Sequence, residues 1–193
     1  MKARLNGIWG LKIVGYLFLA GLGSGAFAVA AGLDLHTNGQ TRGMTNFGAW
    51  ICLICVGLGA LLLLWDLGIP RRVFRLAGNA SSLISTGTVI LSVLLVLAAI
   101  TIAVSLVPLG LDLTVYLILM ILNTIFAVAA SIYVGFLLAV VKCRPFWNTP
   151  LLPLLFVTSS LSTGISALTL VGLLAGDLRV PVAVAELMSS AEL

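Results

Sequence analysis

The sequence predicts an all-α integral membrane protein, a transmembrane bundle of about five helices. Three observations carry that reading. Of 193 residues, 61% are hydrophobic and only 8% charged, where a soluble domain carries about a quarter charged. The apolar residues gather into five runs, each near or above the roughly 20 residues needed to cross a bilayer. All ten Lys and Arg fall outside those runs.

Taken in order, Met1–Lys12 is a basic tail with Lys2, Arg4, Trp9 and Lys12. The first span, 13–33, contains Ala28-Val-Ala30, which imitates a signal-peptidase site. Its apolar run outlasts a signal h-region of roughly 7–15 residues, so a retained helix is expected. Gly21 and Gly25 make a small-xxx-small face, open to close approach by a neighbouring helix or a flat ligand. They are no nucleotide loop, because no strand precedes them. Asp34–Asn46 reads as a polar loop holding His36 and Arg42, and 47–65 as the second span. Asp66-Leu-Gly-Ile-Pro70 closes that span ahead of Arg71, Arg72 and Arg75.

The third span is expected at 83–109 and, after a tight turn at Asp112, the fourth at 113–141. A basic, proline-rich turn follows, with Lys142, Arg144, Pro145, Phe146, Trp147, Asn148 and Pro150. Lys and Arg reach lipid headgroups and Trp favours the interface, while Pro153 suits the first turn of a fifth span at 151–174. Ala175–Leu193 is too short and polar for a sixth. No linker divides residues 1–193 into separate domains.

Eight basic residues fall on the side of the N-terminal tail and the loops after spans two and four; Arg42 and Arg179 fall on the other. The positive-inside rule makes the eight-residue side cytoplasmic. The +4 formal charge records orientation and lipid contact rather than nucleic-acid binding, for no aromatic-interleaved basic surface accompanies it. Cys52, Cys55 and Cys143 are too few for a four-cysteine cluster. Cys52-Leu-Ile-Cys55 lies inside an apolar helix, as two small lipid- or core-facing residues. One histidine, His36, excludes a bis-histidine haem held by this chain alone, so neither haem nor metal is expected in it.

Ionisable groups near a bilayer are costly and invite a functional reading. Asp66 is either an interfacial partner of Arg71 or Arg72, or a proton-exchanging carboxylate beside them. Tyr16 and Tyr133 are either belt residues or hydrogen-bond donors at partial depth. Alternation of the spans puts Tyr16, Tyr133, Asp66 and the arginines on one side. A phenol, a carboxylate and cations suit a flat, carbonyl-bearing, lipid-soluble molecule such as a quinone, whose oxygens need donors and protons when reduced.

The chain resembles the polysulfide reductase membrane-subunit (NrfD-like) family. The resemblance rests on Tyr16-Leu-Phe-Leu-Ala-Gly-Leu-Gly-Ser-Gly25, Asp66-Leu-Gly-Ile-Pro-Arg-Arg-Val-Phe-Arg75, Asn79-Ala-Ser-Ser-Leu-Ile-Ser-Thr-Gly87 and Tyr133 through Gly164. These stretches run through the five spans in order. The resemblance implies a quinone-binding four-helix bundle formed by the first four spans. It also implies a prokaryotic inner-membrane subunit of an oxidoreductase, passing electrons between menaquinone or ubiquinone and a ferredoxin-like four-cluster iron–sulfur partner. A molybdopterin catalytic subunit often completes such a complex. Tyr133 matches the family's quinone-contacting tyrosine, Tyr16 stands where a relative has a histidine, and Ile13 replaces an asparagine. Asp66 matches the acidic position closing the second helix, and Arg75, Lys142, Arg144 and Trp147 become candidate partner-docking residues. Family members usually have eight or more spans, so the resemblance covers their front part and implies a truncated or split protein. Their partner often sits outside the cytoplasmic membrane against these same basic loops, opposite to the charge rule. Two other functions fit the composition: a secondary transporter, suggested by the glycine-rich first helix and the inverted echo of Asp66-Leu-Gly-Ile-Pro70 in Asp177-Leu-Arg-Val-Pro181, and a passive membrane anchor.

Overall fold

The computed structural model describes residues 11–67, 83–107, 112–139 and 151–175. These residues form five helices: α1 (Leu11–His36), α2 (Arg42–Leu67), α3 (Leu83–Leu106), α4 (Leu113–Ala139) and α5 (Leu152–Leu174). The shortest has 23 residues, about 35 Å at 1.5 Å per residue, which exceeds the roughly 30 Å of a hydrocarbon core. With no water in lipid to satisfy N–H and C=O groups, apolar runs of this length must close their bonds internally, as helices do.

The five spans are those the sequence predicts, with one boundary corrected. The segment 34–46, expected as a loop, is mostly helix, and only the turn 37–41 joins α1 to α2. Its polar side chains bond back onto the helix end instead of into water: Thr37 Oγ1 donates to the Leu33 carbonyl at 3.0 Å. The chain reverses at Asn38 and Gly39, whose φ values of 52° and 84° lie in the left-handed region that these two residue types tolerate best. The Gly39 N–H then closes on the Asp34 carbonyl at 2.9 Å.

Helix α1 lies against α2, α4 and α5, while α3 lies against α2 and α4. Helices α1 to α4 therefore ring a common core that includes Tyr16, Phe27, Val56, Leu94, Ala127 and Val134. Helix α5 covers the outer side of α1 and α4. A Cβ on Gly25 would overlap the Ser160 carbonyl, and one on Gly164 would overlap the backbone at Gly25 and Ala26. The glycine face of α1 is thus taken up by helix–helix contact with α5, the use small residues serve in lipid, and not by a ligand. Cys52 is buried in the core beside Gly23, and Cys55 is half-buried. Large apolar side chains such as Val96, Ile125, Leu154 and Leu170 point outward, as lipid contact requires. The start of α1, end of α2, start of α3 and end of α4 share one end of the ring, termed the basic end for its connections. The 37–41 turn marks the other.

Candidate functional site

At the basic end α1 and α4 bring Tyr16 and Tyr133 together, with exposures of 1% and 7%. Two glycines on the intervening helices make their seats. The Tyr16 ring lies against Gly59 of α2, where a Cβ would come 3.3 Å from Cδ2. The tip of the Tyr133 ring occupies the space a Cβ on Gly87 of α3 would need. The two phenols lie close together, at the margin of hydrogen-bond range. Even so, the Tyr16 hydroxyl is buried and has no hydrogen-bond partner. Leaving a buried hydroxyl without a well-formed hydrogen bond costs about 1–3 kcal/mol.

Asp66 stands in the last turn of α2, seven residues past Gly59 and so about 10 Å further toward the basic end. It shares that end with both tyrosines. Arg71, Arg72, Arg75, Lys142, Arg144 and Trp147 lie outside the described residues, as does Asp177-Leu-Arg-Val-Pro181.

A second set of polar residues goes beyond the sequence-based candidates. Asp34 is 0% exposed. It accepts hydrogen bonds from Tyr116 Oη at 2.5 Å, from the Thr41 N–H at 2.9 Å and from Thr41 Oγ1 at 3.0 Å. The Arg42 guanidinium covers the Tyr116 ring at 4.3 Å from its centroid. Further into the bundle Asn123 donates to Thr101 Oγ1 at 2.9 Å, and Thr101 in turn donates to the Leu97 carbonyl at 2.9 Å. Asn123 Oδ1 is buried without a partner, as is Asn46 Oδ1 on α2. Between these and the tyrosines the Ser24 and Ser131 hydroxyls meet at 2.9 Å. The signal for this set is the register of α4: Tyr116 and Asn123 are seven residues apart on one helix face, and an asparagine amid apolar residues needs a partner. Asp34 gives no such signal, because its polar surroundings in sequence read as a loop. Among the described residues no group of three His, Cys, Asp or Glu side chains is placed to hold a metal.

Among the described residues, four helices ringed around buried tyrosines, hydroxyls and amides, with a fifth packed outside them, are each long and apolar enough to cross a membrane and define a multi-pass membrane protein of helical-bundle type. The chain belongs to the family described as "Polysulphide reductase, NrfD", whose profile matches residues 1–193. It is similar to the C subunit of polysulfide reductase from Wolinella succinogenes, 32% identical over 186 residues, covering 86% of this chain and 59% of the relative. It is also similar to a protein NrfD homolog of Haemophilus influenzae, 28% identical over 202 residues, covering 90% of this chain and 62% of that protein. The chain thus spans about three fifths of the length of these relatives. No solved structure matches it. With its helices of spanning length, the membership makes it a multi-pass membrane protein of NrfD type.

Proposed function

We propose that this chain exchanges electrons and protons with a membrane quinone bound at Tyr16 and Tyr133, and passes the electrons to or from a docked iron–sulfur subunit. The observation that carries the reading is the pairing of two buried phenols, Tyr16 and Tyr133, with no well-formed hydrogen bond at the Tyr16 hydroxyl. A quinone carbonyl is an acceptor in need of a donor, so the residues present fit the molecule. A bound quinone supplies two-electron, two-proton redox chemistry.

The chain's own groups then have separate tasks. Tyr16 donates to a carbonyl oxygen, and Tyr133, seated on Gly87, bounds the ring and presents a second phenol. Asp66, with Arg71 and Arg72 following it in sequence, stands at the same end to take up or release protons. Arg75, Lys142, Arg144 and Trp147 belong to the connections on that end and suit contact with an acidic partner surface. The name of the Wolinella relative, one lettered component of a reductase, supports a multi-subunit assembly, completed by an iron–sulfur protein and a catalytic subunit of molybdopterin type.

The test is Tyr133→Phe in the assembled complex. Loss of one hydrogen bond of about 1–1.5 kcal/mol lowers quinone-linked turnover about tenfold, while turnover with an artificial dye that bypasses the membrane subunit stays unchanged. Equal loss of both activities would mean that Tyr133 supports assembly and not the quinone.

A further inference from the structure

We propose that Lys12 of α1 is the charge partner of Asp66 of α2, and that the pair holds the carboxylate in place over the tyrosine site. Lys12 is then a further positioning residue for the quinone reaction, acting through Asp66. That role rests on the quinone reading, whereas the pairing stands on the helix register alone.

Contacts between α1 and α2 fix the register. A Cβ on Gly48 would meet the Ala30 side chain, and one on Gly23 the Cys55 side chain. Nearer the basic end, a Cβ on Gly59 would meet Leu19 and one on Gly15 would meet Leu62. So Ala30, Gly23, Leu19 and Gly15 of α1 lie in turn against Gly48, Cys55, Gly59 and Leu62 of α2. Steps of three, four or seven residues stay on one helix face, and antiparallel helices advance equally in opposite senses. Three residues beyond Gly15 is Lys12, and four beyond Leu62 is Asp66. The two occupy one layer, the last before α1 begins at Leu11 and α2 ends at Leu67. Packed helix axes lie about 8–10 Å apart, and closer where glycines line the contact, a gap that the four-carbon stem of a lysine crosses.

Both residues call for a partner. Lys12 falls in the first turn of α1 and Asp66 in the last turn of α2. Each has the unfavourable sign for its own helix dipole, which prefers anions at the N-terminus and cations at the C-terminus. Side by side, the carboxylate meets the positive end of α1 and the ammonium meets the negative end of α2. Charges at a bilayer are costly unless paired. Within the five helices, Lys12 and Asp66 are the Asp, Glu, Lys or Arg residues at the basic end, while Asp34 and Arg42 stand at the other. The further cations of the basic end, among them Arg71, Arg72, Lys142 and Arg144, belong to connections and not to a helix packed on α2.

The layer lies just outside the phenols. Lys12 is four residues before Tyr16, about 6 Å along α1, and Asp66 is seven past Gly59, about 10 Å along α2. A carboxylate tied to a charge on the neighbouring helix keeps one position there, whereas a lone one would turn toward water. Fixing a proton-exchanging group in this way is preorganisation. Lys12 itself keeps its protons throughout.

The test uses the assembled complex, with 2,3-dimethyl-1,4-naphthoquinone as the quinone probe and a dye that bypasses the membrane subunit as control. Lys12→Met keeps the stem and removes the charge; Lys12→Arg keeps the charge. Lys12→Met is expected to lower the kcat of quinone-linked turnover about tenfold, as a broken, partly shielded pair would, with KM and dye-linked turnover unchanged. Lys12→Arg should retain at least half of the wild-type kcat. In an Asp66→Asn background Lys12→Met should cost nothing more, because the partner is already gone. Lys12→Cys combined with Asp66→Cys should be joined by a short bismaleimide, identified by mass spectrometry, whereas Lys12→Cys with Leu83→Cys, across the ring on α3, should not.

An equal loss from Lys12→Met in both backgrounds, or none in either, would overturn the positioning role. So would an Asp66-dependent loss from Arg72→Gln with none from Lys12→Met. Absence of the crosslink between positions 12 and 66 would overturn the register and the pairing with it. If Tyr133→Phe leaves quinone-linked turnover unchanged while that crosslink forms, the quinone reading falls, the positioning role falls with it, and the pairing stands. If Tyr133→Phe lowers turnover and Lys12→Met does not, the quinone site stands and Lys12 has no part in it.

Discussion

Gly87→Ala is a sharp probe of the tyrosine site, because one methyl group lands on one phenol. The added Cβ would overlap the Cζ, Oη and Cε1 atoms of Tyr133. Ordinary carbon contacts lie at about 3.5–4.0 Å, so the rigid ring tip must move by at least about 1 Å. Overpacking of this kind costs about 1–3 kcal/mol. Alanine is better than glycine in a helix by about 1 kcal/mol, which leaves a net loss of about 0–2 kcal/mol. The fold should survive, with a small decrease in the thermal midpoint. Function should suffer more, since misplacing a reacting group by about 1 Å can cost a hundredfold in rate. Gly57→Ala on α2 is the matched control, because a Cβ there meets nothing within 4 Å, and it should be neutral or slightly stabilising. The assay compares quinone-linked with dye-linked turnover of the assembled complex for both variants. If Gly87→Ala keeps quinone-linked turnover at the Gly57→Ala level, Tyr133 does not position the quinone and the reasoning fails.

Two further predictions address the scaffold. Gly164→Leu drives a branched side chain into the α1 backbone at Gly25 and Ala26, so α5 should detach; a cysteine pair engineered across α1 and α5 would then lose its crosslinking. Retained crosslinking would show that the small-residue contact is dispensable. Asp34 and Tyr116 should be energetically coupled through their hydrogen bond. A double-mutant cycle with Asp34→Ala and Tyr116→Phe, read by unfolding in detergent, should give about 0.6–1.7 kcal/mol, the range found for side-chain bonds inside membranes. A coupling near zero would mean that the contact does not hold the α1–α2 turn to α4.

How much of this is legible in the sequence differs from residue to residue. Tyr16 and Tyr133 can be placed at one end of the molecule by counting spans, because antiparallel neighbours of bilayer length must alternate. That their rings seat on Gly59 and Gly87 cannot, since nothing local in the sequence marks which glycine faces which ring. Gly25 illustrates the reverse difficulty. Its small-xxx-small spacing announces a close approach, but only the position of α5, with Ser160 and Gly164 against it, excludes a ligand there. Asp34 is misplaced by sequence reasoning because a polar run after an apolar one reads as a loop. Tyr116, 82 residues away, and Thr41 supply the bonds that let its carboxylate be buried.

By itself the sequence determined the membrane location, the five spans found among the described residues and their alternating direction. These follow from a local requirement: about 20 apolar residues in lipid must pair their own backbone groups, and do so as a helix. Its ordered motifs also pointed to the family. Only the tertiary structure decided which polar side chains meet inside the bundle. A hydroxyl, amide or carboxylate far from water depends for its stability on a partner from another helix, and helix rotation and contact are set by packing across distant parts of the chain.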